Sequence, residues 1–281
     1  MDPVASPLLI DRPLRDLAAW TTHFRAAEIP VLASTAEAIE GLRANEDAAD
    51  AHGMAELIGE DPLMTLKVLA HAGTNRPSRM VTETETVTAA LVMMGIGPFF
   101  RAFGPQPTVE DRLAALPDAL TGLRRVLARS RRAGSFALGF AVHRMDHDAQ
   151  VIHAAAQLHD FAEMLLWCHA PALAVAICTA QRADPALRSA AAQQAALGIA
   201  LAELQQALMK AWRLPELLIR ITDERQAEHP SVRTVLLAVR LARHSANGWG
   251  DAALPDDYAD IGTLLNLSPA AAEALVRDID A

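Results

Sequence analysis

Residues 59–75 read GEDPLMTLKVLAHAGTN, and this stretch decides the fold class. The carboxylate of Asp61 can accept from the first free amides of a helix, and Pro62 falls where a missing N–H costs nothing. Leu63, Leu66, Leu69 and Ala70 recur every three or four residues, which puts them on one buried helical face. Gly73 and Asn75 are expected to stop the helix. The pattern continues in both directions. Residues 1–12 read as a loose leader, residues 13–27 as an amphipathic helix, and Ile29-Pro30 as a break. Ser34-Thr35-Ala36-Glu37 has the form of a capping box that opens a helix to Ala44. A further helix carries Met54, Leu57 and Ile58. On the other side, residues 74–81 read as a loop and residues 86–94 as a helix stopped by Gly95 and Gly97. Phe99, Phe100 and Phe103 fall on a short helix after Pro98.

Residues 104–110, GPQPTVE, hold two prolines and a glycine and mark the expected boundary between subdomains. Beyond it, helices are expected over residues 117–144, 150–168, 171–182, 186–198, 200–212, 215–226 and 232–245. Residues 248–260, GWGDAALPDDYAD, read as a loop, and Ser268-Pro269 as the cap of a last helix ending at Asp280. No segment reads as a strand. The expectation is an all-α protein of two packed helical subdomains. Residues 1–28 form the leader and first helix, residues 29–104 the smaller subdomain and residues 111–281 the larger.

Composition agrees with this outline. A chain of 281 residues that is 52% apolar and only 21% charged is long enough and apolar enough to fold around a core, which excludes disorder. Aromatics make up 4%, with Tyr258 the single tyrosine, which favours helices over sheets. The balance of 25 basic and 34 acidic residues gives a net charge of -9, poorly suited to a general nucleic-acid coat. Cys168 and Cys178 make neither a disulfide framework nor a zinc knuckle and read as two buried thiols in a reducing compartment. The start MDPVASPLLIDRP lacks the form of a signal peptide, and no apolar run approaches the ~20 residues of a membrane span. The expected setting is therefore the cytoplasm, without membrane contact.

The sharpest chemical signal is His159-Asp160 within AAAQLHDFAEMLLW, expected to lie inside one helix. Imidazole nitrogen and carboxylate oxygen both ligate divalent cations, so the pair could share a metal if other helices supply more ligands. Alone, the dipeptide is a weak signal and reads more simply as a packed histidine beside a hydrogen-bonded aspartate. His143, Asp146, His147, Asp148 and His153 crowd one helix junction and read as a surface zinc site or as ordinary solvated polar residues. Residues 119–145 carry six arginines and no acid: Arg124, Arg125, Arg129, Arg131, Arg132 and Arg144. They form a recognition surface for a phosphate, nucleotide or acidic partner, or they pair with acids such as Glu46-Asp47 and Glu83-Glu85.

Several motifs then fall in order. Ile29-Pro30-Val31-Leu32 comes first. Ile58, Asp61, Pro62, Leu63, Thr65, Lys67, Val68 and Leu69 follow, then Val81-Thr82 with Val87, Ala90, Leu91 and Gly95-Ile96. Leu158-His159-Asp160 with Leu165-Leu166 and Trp212-Arg213-Leu214-Pro215-Glu216 with Ile219 and Ile221 complete the set. In order and spacing they resemble the HDOD domain, a bacterial signalling domain related to the HD-superfamily metal phosphohydrolases. The resemblance runs from Ile29 to the C-terminus and implies that the larger subdomain is an HD-like helical bundle. It also implies an upstream histidine, which falls at about Arg129, and further ligand stretches, which fall near Ala200-Leu201 and Asp223-Glu224. The glycine and lysine expected after the His-Asp pair are Ala162 and Glu163. A guanidinium offers no lone pair to a metal. His159 and Asp160 are thus a vestige of a ligand set, and no catalytic residue, metal or cofactor is expected.

The function expected from this resemblance is non-enzymatic: a regulatory or scaffold protein in bacterial signal transduction that works by contact with a signalling protein. Two alternatives stand beside it. One is a divergent metal-dependent phosphohydrolase using His159 and Asp160. The other is a nucleotide second-messenger sensor using the arginine-rich helix 124–144, with Arg131 and Arg132 as the test positions. The spacing also suggests that Arg129 fills the empty ligand position and pairs with Asp160.

Overall fold

The computed structural model describes residues 9–76, 84–184 and 186–281. Residues 1–8 of the expected leader, Val81-Thr82, Glu83 and most of the expected 74–81 loop lie outside the described residues. The smaller subdomain contains α2 (Ala33–Arg43), α3 (Ala51–Gly59), α4 (Pro62–Asn75), α5 (Val87–Met94) and α6 (Ile96–Ala102), preceded by α1 (Leu17–Ala26). The single turn α7 (Val109–Arg112) leads to α8 (Pro117–His143), α9 (Ala149–Gln157), α10 (Phe161–His169), α11 (Pro171–Ala183) and α12 (Ser189–Leu197). The chain closes with α13 (Leu201–Ala211), α14 (Glu216–Ile221), α15 (Pro230–His244), α16 (Leu254–Leu265) and α17 (Pro269–Ile279). Apart from an isolated parallel bridge between Val31 and Thr108, the regular structure among the described residues is helical.

Asp61 starts α4 as expected, and it does more. One carboxylate oxygen accepts from Leu63 N at 2.9 Å and Met64 N at 3.3 Å, while the other accepts from Leu32 N at 2.8 Å. The side chain is buried and anchors two helix starts at once. The capping box at Ser34 is not used. α2 begins at Ala33, and its first amides reach Asp61 and the carboxylate of Glu110, the latter at 3.0 Å. Distant carboxylates displace the local cap because Val31 is already fixed by its hydrogen bonds to Pro107 and Val109.

The helix α4 serves two cores. Leu63, Leu66, Leu69 and Ala70 pack into the larger one, while Met64 and Val68 pack into the smaller one with Ile39, Met54, Ile58 and the three phenylalanines of α6 and its end. The helix α1 joins the larger core, where Trp20 Nε1 donates to Leu197 O at 3.3 Å and the indole stacks on Phe24. Gln157 of α9 donates to the Gly59 carbonyl and ties the subdomains together again.

Three expectations change. Gly73 lies inside α4 instead of ending it: a Cβ there would sit 2.4 Å from Arg213 O and 2.6 Å from Trp212 O, so only glycine lets the helix approach that turn. The expected helix 150–168 breaks at residues 158–160, dividing α9 from α10. The expected 248–260 loop contains the start of α16, where Pro255 in the first turn and Asp256 and Asp257 beside it give a helix-start signal. Among the described residues no single helix is long and apolar enough to cross a membrane. The bent pair Ala149–His169 and Pro171–Ala183 passes on length and composition alone, and it turns by 116°.

Gly73→Ala is expected to cost about 1–3 kcal/mol, since backbone oxygens block the new methyl. Gly41→Ala, where a Cβ meets nothing within 4 Å, is expected to be neutral or to stabilise by up to ~1 kcal/mol through helix propensity. Urea unfolding of the two variants measures the contrast.

Candidate functional site

The break between α9 and α10 places the His-Asp pair. Leu158 and Phe161 are fully buried on either side and pin the turn, so His159 and Asp160 project toward α8 and α15. Arg129 rises from α8 between the buried Leu127 and Ser130 and keeps only 21% of its side chain exposed. Its Nη2 donates to Asp160 Oδ2 at 2.9 Å and to Glu163 Oε2 at 3.0 Å. Arg243, from α15, donates to the other oxygen of Asp160 at 2.7 Å. His159 Nδ1 lies 3.0 Å from that same oxygen, and Nε2 lies 3.3 Å from Glu224 Oε1.

The network holds three acids (Asp160, Glu163, Glu224), two arginines and one histidine, so it is neutral when the imidazole is protonated. Burial alone would lower the His159 pKa, but hydrogen bonds to Asp160 and Glu224 outweigh it and raise the value. Burial alone would raise Asp160, yet Arg243, His159 and Arg129 hold it well below the usual carboxylate range. Glu163 is raised by burial and by the neighbouring Asp160, against the pull of Arg129. Glu224, less enclosed, is lowered by its hydrogen bond to His159. These residues line a cleft of about 980 Å³, with Lys210 and Arg225 also on its wall.

The donor set does not fit a metal ion. Both oxygens of Asp160 are engaged by guanidiniums, and both nitrogens of His159 face carboxylates. Among the described residues no group of three or more His, Cys, Asp or Glu side chains could hold an ion. The guanidinium at the aligned histidine position is positive and repels a cation.

Other sequence-derived candidates are dispersed. Arg124 pairs with Glu110 at 3.4 Å. Arg132 is locked by Asp280 at 2.7 and 2.8 Å, donates to Ser245 O, and lies over the rings of Phe136 and Trp249. Arg144 reaches Thr234. Arg125 and Arg131 are exposed and make no ion pair among the described residues. Arg124, Arg129, Arg132 and Arg144 thus meet acids elsewhere in the fold, and those acids are not Glu46, Asp47 or Glu85. His143 and His147 are exposed, whereas His153 packs against α8 at Gly134, so the zinc candidates do not converge. Arg243 was missed by sequence reasoning, and Glu163 and Glu224 were read only as replacements. The available signal for Arg243 was an arginine one residue from the buried Ala242 of an amphipathic helix, a position that calls for a partner.

The sequence model of the HDOD domain matches residues 29–228. The chain belongs to the HDOD family. No curated protein matches it. Among solved structures, the MmoQ response regulator of Methylococcus capsulatus is similar over 90% of this chain and 99% of its own, with 20% identity and a TM-score of 0.65. A virulence factor of Campylobacter jejuni is similar over 94% of this chain and 98% of its own, with 16% identity and a TM-score of 0.61. Both likenesses concern the fold. Within this HDOD protein, Arg129, His159, Asp160, Glu163 and Glu224 lie inside the matched stretch, while Arg243 and Asp280 lie beyond it.

Arg129→Ala leaves the buried Asp160 with one guanidinium instead of two and takes from Glu163 its ion-pair partner, and it is expected to cost about 3–5 kcal/mol in urea unfolding. His159 has a folded pKa raised above its ordinary 6.5, so its contribution is fully present below that value. It fades as pH climbs through the folded value. The stability difference between wild type and His159→Gln is therefore expected to shrink as the pH rises above the ordinary histidine value of 6.5.

Proposed function

We propose that this HDOD protein is non-enzymatic and regulatory, and that it acts in bacterial signal transduction through contacts with a signalling protein. The observation that carries this reading is the Arg129 guanidinium 2.9 Å from Asp160, at the position where a metal ligand would be needed. Metal-assisted hydrolysis requires a fixed ion with an open coordination position, and these residues supply neither ligand count nor favourable charge. The likeness of the fold to the MmoQ response regulator is consistent with the same setting.

Two measurements test the proposal. After loading with Mn²⁺ and desalting, the purified chain is expected to retain well under one ion per molecule. It is also expected to hydrolyse neither bis-p-nitrophenyl phosphate nor cyclic dinucleotides. Retention of an ion together with metal-dependent turnover that Asp160→Asn abolishes would establish the phosphohydrolase alternative instead. The contact role predicts a protein from the native cell that binds the purified chain saturably and reciprocally. Failure of every captured candidate to rebind in purified form would count against it.

A further inference from the structure

A second cavity, of about 540 Å³, adjoins the site between α8 and α11. It shares Arg129, Glu163, Trp167 and Cys178 with the main cleft. Its own wall brings Arg125 from α8 and Arg182 from α11 to one concavity, with the hydroxyl-bearing Thr121 and Thr179 beside them. The indole of Trp167 can lie against α8 because Gly122 has no side chain; a Cβ there would sit 2.3 Å from the ring.

The electrostatics of this cavity are unlike those of the rest of the chain. Arg125 and Arg182 are exposed and make no ion pair among the described residues. Arg129 is neutralised by Asp160 and Glu163, yet its Nε is buried without an acceptor. Arg125, Arg129 and Arg182 line the cavity together with the Cys178 thiol, whose pKa is raised by burial and by Glu163 against the opposing pull of the three guanidiniums. Against the two unpaired arginines stands only Asp118 among the lining acids, since Glu163 is already paired. In a protein of net charge -9, a concave site with surplus positive charge has a requirement that the chain itself does not meet. Guanidiniums facing a cavity from two helices suit an oxyanion with several acceptor oxygens. The volume falls within the ~300–1,000 Å³ of small-molecule sites, and Trp167 and Val175 give it an apolar side.

We propose that this cavity binds a phosphorylated small molecule of nucleotide size, with the phosphate on Arg125 and Arg182 and its less polar part against Val175 and the exposed rim of the buried Trp167. The site goes beyond the regulatory reading and does not rest on it. Because Arg129 and Glu163 wall both cavities, occupancy here bears directly on the ion network of Asp160. The ligand is thereby distinguished from one held on Arg131 and Arg132: Arg132 is already clamped by Asp280.

The protein carries its own reporter. Cys178 lies on the cavity wall and is half-buried, whereas Cys168 is fully buried with its thiol pushed up to about 12 and serves as a silent control. Calorimetric titration of the full chain with the four ribonucleoside monophosphates, and separately with inorganic phosphate, is paired with iodoacetamide labelling of Cys178 followed by peptide mass spectrometry. At least one of these probes is expected to bind saturably. Binding should weaken by about tenfold or more in Arg125→Ala/Arg182→Ala, whose replaced side chains are exposed and leave the core intact. Saturating probe should slow Cys178 labelling about fivefold or more. Protection by inorganic phosphate alone would still support the site and would assign recognition to the phosphate group. Absence of saturable binding by every probe, equal affinity in the double variant, or unchanged Cys178 labelling at saturation would each overturn it.

Discussion

The carboxylate of Asp160 sits between two guanidiniums, and the larger bundle is arranged around that placement. Arg129 approaches from α8, Arg243 from α15, and the turn between α9 and α10 presents the acid to both. Asp160 and Arg129 keep only 10% and 21% of their side chains exposed and carry a heavy desolvation cost, whereas Arg243 is about half exposed and carries less. Such a network adds little net stability over a well-packed apolar core. Its effect is on geometry: the α9–α10 turn can sit in one register only, because a shifted turn would leave two cations and an anion unpaired. His159 and Glu224 extend the constraint to the segment after α14, so elements far apart in sequence meet at one charge-balanced centre.

Much of the fold was legible because it depends on local chemistry. Asp61-Pro62 announced α4, and Ser268-Pro269 announced α17, whose cap accepts from Ala271 N as expected. Reading failed where tertiary contacts overruled local preference. The Ser34 box lost to Asp61 and Glu110, partners 27 and 76 residues away, which no local window contains. The apolar run across residues 150–168 looked continuous because both sides of the break are equally buried; only the demand that His159 and Asp160 face two other helices interrupts it. Gly73 looked like a terminator because its real neighbours, the carbonyls of Trp212 and Arg213, come from the other end of the chain. At the site, Arg129 could be placed by its spacing from His159. Arg243 could not, since its place beside the buried face of α15 shows that it needs a partner but not which one.

The two subdomains are joined through shared parts more than through a surface between finished units. The helix α4 contributes adjacent residues, Leu63 and Met64, to different cores, and Asp61 at its start holds α2 as well. Movement of one subdomain against the other must therefore turn α4 or strip one of its faces. The approach at Gly73 and the bond from Gln157 to Gly59 restrict that turn further.

The double grip on Asp160 has a consequence for sequence change over time. Replacing Arg129 by histidine would supply one imidazole, yet Arg243 would still cover the same carboxylate and Glu224 would still claim His159. Replacing Arg243 alone would leave Arg129 in place. Each single step removes one ion pair from the buried Asp160 and leaves its other partners where they are. Arg129, Arg243 and His159 are thus bound to one another through a single carboxylate, and a change at any of the three alters what the other two must do.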